Sequence, residues 1–520
     1  MSQVTQNDPN PNKKGLSRRR FLQISAAGLV VGTVGFDLSP EAEALVKARR
    51  QAGTLRVAWE TPATLDPRQV SADTEIAFLN AIYDYLIDWD AGSNLVPRLA
   101  ESWEVSDDGL VYTLALREGV TFHDGSELTV DDVIWTYEWQ IADEGTVANL
   151  LASVESITAG EGNTVVFTLS ETNPDFLYNL ADNKLVILKS GTEAFETDFN
   201  GTGPFRVSEY LPGDRAIFTP NADYWGDVPT LEALEFIYFE DQQAGISALQ
   251  GGVVDVVLRM PNLEFLALSE DASLNAIDIP TNGFDLVRLR ADMAPGDDPN
   301  VQQALKLATD REAIFNSVQL GFGAVGKDSP IGPQFAAYFN EEVSVPARDP
   351  EAARNLLAEA GYPDGLELTL NVPGGGGRPD FATLLASQWE EAGITVSIEI
   401  QDEASWYAAD DWIEAQLSIT GWGSRATPQF FLDTMVKSDG VWNEAHWSDE
   451  EVDALIETAG SSLDQDERIN AYMEIQRIMI ERGPLIVPYF FGQFMVSNGN
   501  LSGVDLHPFP GRTRFDAASI

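Results

Sequence analysis

The chain has 520 residues, 44% of them hydrophobic and 10% aromatic, with 82 acidic against 32 basic side chains and a net charge of −50. That length buries large cores without covalent staples, and the lack of any cysteine excludes disulfides, Fe–S clusters, thiol catalysis and a lipid-modified cysteine anchor. The charge argues against nucleic acid and anionic lipid as partners, because neither would be attracted.

In chain order, the first feature is Lys13 and Lys14 ahead of Ser17-Arg18-Arg19-Arg20-Phe21-Leu22-Gln23, followed by an apolar run from Ile24 to Phe36 and then Ala42-Glu43-Ala44. This resembles a twin-arginine export signal with a small-residue cleavage site, and the expectation is that residues 1–44 are removed after export of the folded protein. The apolar run is too short to span a bilayer comfortably. Removal of 1–44 takes away five basic and four acidic residues and leaves 27 basic and 78 acidic, a net charge of −51. Such self-repulsion destabilises a compact state at low salt and fades when the Debye length shrinks to about 3 Å in molar salt. A salt-loving source, a haloarchaeon, is expected.

Gly53–Val57 reads as a strand broken by Thr64-Leu65-Asp66-Pro67, and residues 74–88 carry a helical stripe of Ile76, Leu79, Ile82, Tyr83 and Leu86. Asp107-Asp108-Gly109 is turn chemistry, after which Leu110, Tyr112, Leu114 and Leu116 alternate on one face of a strand. A second turn at His123-Asp124-Gly125 leads to Thr129, a helix N-cap with Asp132 as its capping-box partner, and Val133, Tyr137 and Ile141 mark the buried stripe. Thr164–Leu169 alternates as a strand, Gly201-Thr202-Gly203-Pro204-Phe205 is a tight turn entering another, and Tyr224-Trp225-Gly226 precedes a strand over Leu234–Phe239. From about residue 299 the pattern becomes helix–strand alternation: a helix over Pro299–Gln319, a helix capped by Asp349 with Pro350 first and Gly361 past its end, strand Leu366–Asn371, the loop Gly374–Gly377, helix Asp380–Ala392 and strand Ile394–Ile400. Asp464 and Glu467 open a last long helix that ends at Gly483-Pro484, before a strand over Leu485–Phe491.

The wording of residues 103–137, with Gly201–Phe205, Tyr224-Trp225-Gly226 and Ala308-Thr309-Asp310-Arg311-Glu312-Ala313-Ile314 in the same order, resembles the family 5 extracellular solute-binding proteins, the peptide- and nickel-type receptors of ABC importers. The resemblance implies an α/β fold of the periplasmic-binding-protein-like type II, with two main lobes around a hinged cleft and an inserted third lobe. It further implies lobe I over 45–84, 195–290 and 490–520, lobe II over 85–194 and lobe III over 291–489. Composition and periodicity alone give only a mixed α/β, multi-lobed chain. The implied function is capture of a small-molecule or short peptide ligand by lobe closure and delivery to ABC permease and ATPase subunits, by a monomer with no cofactor and no catalytic residue. The twin-arginine translocase is the expected partner in export.

In peptide receptors of this family an aspartate just after a Gly-Trp holds the ligand's ammonium. The matching segment here is Gly421-Trp422-Gly423-Ser424-Arg425-Ala426-Thr427-Pro428, with Arg425 in place of that aspartate. An arginine fork suits a carboxylate, a phosphate or paired sugar hydroxyls, not an ammonium. Arg425 therefore reads either as a ligand carboxylate clamp or as a salt bridge to one of many acids. Trp422 and Gly423, in the same segment, are expected at the ligand, and Trp406 is expected to face the cleft. Asp73, seven residues after Asp66, is a candidate partner for a ligand ammonium, as is Asp328; a solvated helix-start aspartate is the plainer reading of Asp73. His123, His446 and His507 lie far apart without metal-ligand spacing, and His123 reads as structural. No Gly-x-Ser-x-Gly, His-Glu-x-x-His or phosphate loop is present. An oligosaccharide receptor of the same transporter class, and a secreted glycosidase using two carboxylates, are the alternatives.

Overall fold

Leu274–Leu289 and Leu485–Asn498 are the strands that organise the molecule. They belong to a computed structural model that describes residues 53–520 apart from 144, 409 and 410, and apart from the side chains of 146 and 411. The export-signal reading over 1–44 lies outside the described residues. The main sheet runs, edge to edge, through Ile394–Gln401, Leu366–Pro373, Leu417–Trp422, Leu274–Leu289, Leu485–Asn498, Val256–Leu258, Thr54–Glu60, Ala233–Phe239, Arg215–Pro220 and Phe205–Leu211.

The two long strands pair twice. Leu274–Pro280 is antiparallel to Asn498–Gly492; the register then shifts, and Phe284–Arg288 pairs with Phe490–Leu485. Val256–Leu258 joins only the first half, opposite Ser497–Met495, whereas Leu417–Trp422 joins only the second half, opposite Leu289–Phe284. The two halves of the sheet are thus joined through the stretch 280–284 and 490–492. That stretch is packed against glycines: a Cβ on Gly323 would come within 2.2 Å of the Phe490 carbonyl oxygen, and one on Gly283 within 3.1 Å of the Trp422 carbonyl oxygen.

Separate cores cover the two halves. Leu55, Val57 and Trp59 pack with Phe78 and Leu79 on one side, and Leu366, Leu368, Phe381 and Trp389 pack with Val287 and Leu289 on the other. A four-stranded antiparallel sheet of Ala100–Val105, Val111–Leu116, Thr164–Leu169 and Val154–Ala159 has its own core around Tyr112, Leu114, Tyr137 and Phe167. The expected capping box is present: the Thr129 hydroxyl accepts from the Asp132 N–H at 3.4 Å, and Asp132 accepts from the Thr129 N–H at 2.9 Å, opening the helix Val130–Ile141. Asp349 and Asp464 cap the helices Pro350–Glu359 and Gln465–Arg482 as expected.

Two helices are shorter than their stripes. The one expected over 74–88 is Asp73–Ile82; Tyr83 is extended because the Gly203 N–H takes the Ile82 carbonyl at 3.0 Å, while Tyr83 and Leu86 stay buried in another conformation. The one expected over 299–319 is split into Pro299–Ala308 and Arg311–Val318, because Asp310 caps the second by accepting from the Ala313 N–H at 2.9 Å.

The C-terminal tail returns to pack beside Trp89, with His507 at its centre. His507 Nδ1 accepts from the Phe509 N–H at 3.0 Å and Nε2 donates to the Trp89 carbonyl at 3.2 Å, an arrangement that needs the neutral ring. Burial, with Arg512 nearby, pushes its pKa down from 6.5 to about 4. The folded state thus binds fewer protons than the unfolded chain, so the stabilisation is complete above pH 6.5 and is lost as pH falls toward 4. Denaturant titrations at pH 7.5 and pH 4.5 should show a loss of up to about 3 kcal/mol from this group, and a smaller loss in His507→Gln.

Candidate functional site

Strands Thr54–Glu60, Ala233–Phe239 and Val256–Leu258 are mutually parallel, as are Leu366–Pro373, Ile394–Gln401 and Leu417–Trp422. Their registers against the long strands fix where their carboxyl ends lie. Leu258 is opposite Met495 and Trp422 is opposite Phe284, so both sets of carboxyl ends point at the 280–284 and 490–492 stretch from opposite directions. In open α/β sheets the crevice outside the carboxyl ends, where helices leave toward opposite faces, is the place for a ligand. Here two such edges face each other.

On the first wall, Trp59 packs with helix Asp73–Ile82 and Ala58 packs with helix Gln242–Gln250, so the two helices depart to opposite faces of the same strand. Between them lies a small open crevice, lined by Trp59, Glu60, Asp73, Thr74, Asp241 and Arg259 among others. Asp73 is the first residue of its helix, where an acid complements the dipole. Its carboxylate is already engaged, by Arg259 Nη1 at 2.8 Å and the Gly511 N–H at 3.2 Å. Arg259 has φ +59°, a left-handed conformation costing about 1–2 kcal/mol for a residue with a side chain, and its side chain is 51% exposed.

On the second wall, Trp422, Gly423 and Arg425 leave the end of strand Leu417–Trp422 together. Gly421 leaves room for the ion pair beside it: a Cβ there would stand 2.4 Å from Arg378 Nη2 and 2.8 Å from Asp285 Oδ1, so one of those side chains would have to move. Beneath it Arg378 bridges Asp285 at 2.9 Å and Glu403 at 2.6 Å, and Tyr489 donates to Asp285 at 2.8 Å. Burial raises the Asp285 pKa, and Arg378 and Tyr489 oppose the shift. Trp422 is 7% exposed and its Nε1 donates to Glu444 Oε1 at 2.9 Å. Glu444, fully buried, also accepts from the Thr420 hydroxyl at 2.8 Å and pairs with the equally buried Arg288 at 3.3 Å.

Arg425 is tied to the crossing strands by its main chain. Its N–H donates to Asn282 Oδ1 and its carbonyl accepts from Asn282 Nδ2, both at 2.7 Å. The half-buried guanidinium lies 4.4 Å over the Phe430 ring and donates from Nη1 to the Gly423 and Ser424 carbonyls at 3.2 and 2.8 Å. Burial lowers its pKa, with Asp182 acting in the opposite sense. Among the described residues no carboxylate is within ion-pair distance of it, although its Coulomb partner Asp182 is close enough to be felt. The hydrogen bonds of the guanidinium go to carbonyls of its own loop, and Asp182 is the acid that acts on it through space.

Trp422, Gly423 and Arg425 thus lie together, with Asp73 on the facing wall. Trp406 does not present a face to the cleft as expected. It is 1% exposed within the aromatic core of Trp412, Trp422, Phe284 and Phe431, because its short helix Glu403–Ala408 folds that ring inward. Asp328 is also withdrawn, fully buried and bonded by Arg311 at 2.7 and 2.5 Å and by the Val487 N–H at 3.2 Å. His123 Nδ1 accepts from the Gly201 N–H at 3.4 Å and Nε2 donates to the Gly203 carbonyl at 3.1 Å, as its structural reading expects. Asn282, Glu444, Arg259 and Arg378 escaped notice in the sequence. Glu444 is one acid among 82, and Asn282 sits in Pro280-Thr281-Asn282-Gly283, which looks like a turn.

Comparison with known proteins agrees with this architecture. Residues 94–443 match the sequence family described as bacterial extracellular solute-binding proteins, family 5 Middle. Heme-binding protein A of Haemophilus influenzae is 30% identical over 447 residues, covering 78% of this chain and 81% of its own. The dipeptide-binding protein of Escherichia coli is 27% identical over 519 residues, covering 91% and 96%. Among solved structures, HbpA2 from Haemophilus parasuis superposes with a TM-score of 0.81 at 26% identity, covering 90% of this chain and 99% of its own. The fold is thus that of the periplasmic binding proteins, and the chain belongs to family 5 of the bacterial extracellular solute-binding proteins, the substrate-binding components of ABC importers.

Proposed function

We propose that this chain captures a peptide or peptide-like solute outside the cell, between the two walls described above, and delivers it to an ABC permease. The walls belong to lobes I and III, the insertion near 85–194 is lobe II, and closure turns on the stretch 280–284 and 490–492. Arg425 holds a ligand carboxylate. The observation that carries this reading is a half-buried guanidinium beside the facing strand ends, with Nη1 on carbonyls and no acid bonded to it among the described residues, in a chain of net charge −50. An arginine fork so placed matches a planar anion in two-point contact. Relatives named as dipeptide- and di/tripeptide-binding proteins support the peptide class.

An oligosaccharide ligand would need open ring faces; Trp406, Trp412 and Trp422 are buried, whereas Trp442, beside Trp422 and Phe430, is 36% exposed. A glycosidase would release products, whereas this reading requires binding without turnover. The test is to denature protein purified from its own host and identify the released small molecules by mass spectrometry. A peptide or another carboxylate-bearing solute in stoichiometric amount is expected; a neutral sugar overturns the assignment of Arg425.

Export by the twin-arginine route, action as a monomer and a halophilic origin complete the proposal. The last makes a direct prediction. With 78 acids on the exported part, the melting temperature should fall by tens of degrees between molar salt and dilute buffer as screening is withdrawn. Unchanged melting in dilute buffer would contradict it.

A further inference from the structure

The strand crossing is not the sole link between the two sides of the cleft. Asp175, in the four-stranded insertion, reaches Arg468 on the helix Gln465–Arg482, with Oδ1 2.5 Å from Nη2. The side chains are 11% and 5% exposed. Each is rigidly mounted. The Asp175 N–H donates to Asn173 Oδ1 at 3.0 Å, the Asn173 carbonyl accepts from the Tyr112 hydroxyl at 2.9 Å, and Phe176 is part of the insertion's core. Arg468 donates from Nε to the Ala459 carbonyl at 2.8 Å and lies 5.8 Å from each of the Tyr338 and Tyr472 rings.

The apolar cores on the two sides of this contact share no residue. The pair is therefore a polar tie between separate bodies, not part of one core. Beside it, the turn Asp107-Asp108-Gly109 presses on Leu463: a Cβ on Gly109, at φ +68°, would be 2.8 Å from Leu463 Cδ1. The helix carrying Arg468 ends at Gly483 and runs directly into the crossing strand Leu485–Asn498. A rotation about the crossing therefore moves Arg468 relative to Asp175.

We propose that the Asp175–Arg468 pair, with Gly109 seated on Leu463, is a clasp between the insertion and the second wall that sets the balance between separated and approached walls, and so tunes capture without touching the ligand. Its meaning for transport rests on the receptor reading above; its mechanical role does not. A buried ion pair is costly to break because either partner left alone is an unpaired buried charge. Rotation about the crossing has to overcome that cost, or carry water in to relieve it.

The test needs no ligand. Because the chain has no cysteine, Val228→Cys and Val441→Cys, both exposed, can carry a donor–acceptor dye pair across the cleft for single-molecule energy transfer in molar salt. The native clasp should give one narrow distribution. Asp175→Ala with Arg468→Ala, which removes both charges and the side-chain contact without leaving an unpaired charge behind, should shift or broaden it toward larger separation. Arg468→Lys, which keeps the charge, should keep most of the native distribution. If Arg468→Ala alone fails to fold, the double substitution remains the deciding variant. A folded double variant with the native distribution overturns the clasp, whatever the outcome of ligand identification.

Discussion

Glu444→Ala is expected to destabilise the protein by about 3–5 kcal/mol, because it leaves Arg288 as an uncompensated buried charge. Arg288 has nowhere else to turn: its remaining donors already serve the carbonyls of Trp412, Ile413 and Ala415. Burial pulls its pKa down, and Glu444 is the main force opposing that. The same substitution frees Trp422 Nε1 and the Thr420 hydroxyl inside the core, where each unsatisfied donor costs about 1–3 kcal/mol. The effect should therefore reach the site as well as the melting curve, since the strand end that presents Gly423 and Arg425 is braced through Trp422. Glu444→Gln, which keeps one acceptor oxygen but puts an amide donor in place of the other and removes the charge, should lose less. Denaturant titration of the three proteins at molar salt checks the order; equal stability of wild type and Glu444→Ala would mean that Arg288 is neutralised in some other way.

Arg425→Ala carries the second large effect, and it falls on binding. Truncating one partner of a desolvated charge pair costs about 2–5 kcal/mol, which is about 30- to 5,000-fold in affinity. The fold should hardly notice, because Asn282 grips the Arg425 main chain and the side chain's hydrogen bonds among the described residues go to carbonyls of its own loop. Arg425→Lys keeps the charge and loses the planar fork, so it should recover part of the affinity and no more. Half-burial against Phe430 matters here: an exposed pair would be screened away in the molar salt that the acidic surface calls for, whereas a shielded one survives. Calorimetry with the ligand released from the wild-type protein separates the cases. A loss below tenfold rules against the clamp.

Much of the scaffold was legible because it is local. Thr129 with Asp132, Asp349 with Pro350 and Gly361, and Asp464 with Glu467 are capping signals read within a few residues, and each marks a helix in the structure. What stayed hidden is set by distant parts of the chain. Ile82 ends its helix because Gly203, about 120 residues on, takes its carbonyl. Pro280-Thr281-Asn282-Gly283 looks like a turn between two elements, yet it is the middle of one strand, held in line by Phe490–Gly492. The site divided in the same way. Trp422 and Arg425 could be found because they are adjacent in a recognisable segment. Trp406 could not be sorted into core or cleft, since a tryptophan reads alike in either place, and the Arg259 that engages Asp73 lies 186 residues from it.

Two facing strand edges that close on a solute should leave it chemically unchanged. The decisive measurement is to titrate the ligand recovered from native protein into ligand-free protein in molar salt, and to recover it again after saturation. A saturable one-to-one isotherm and an unaltered ligand are expected. Cleaved or otherwise converted ligand, or heat without saturation, would contradict capture without turnover.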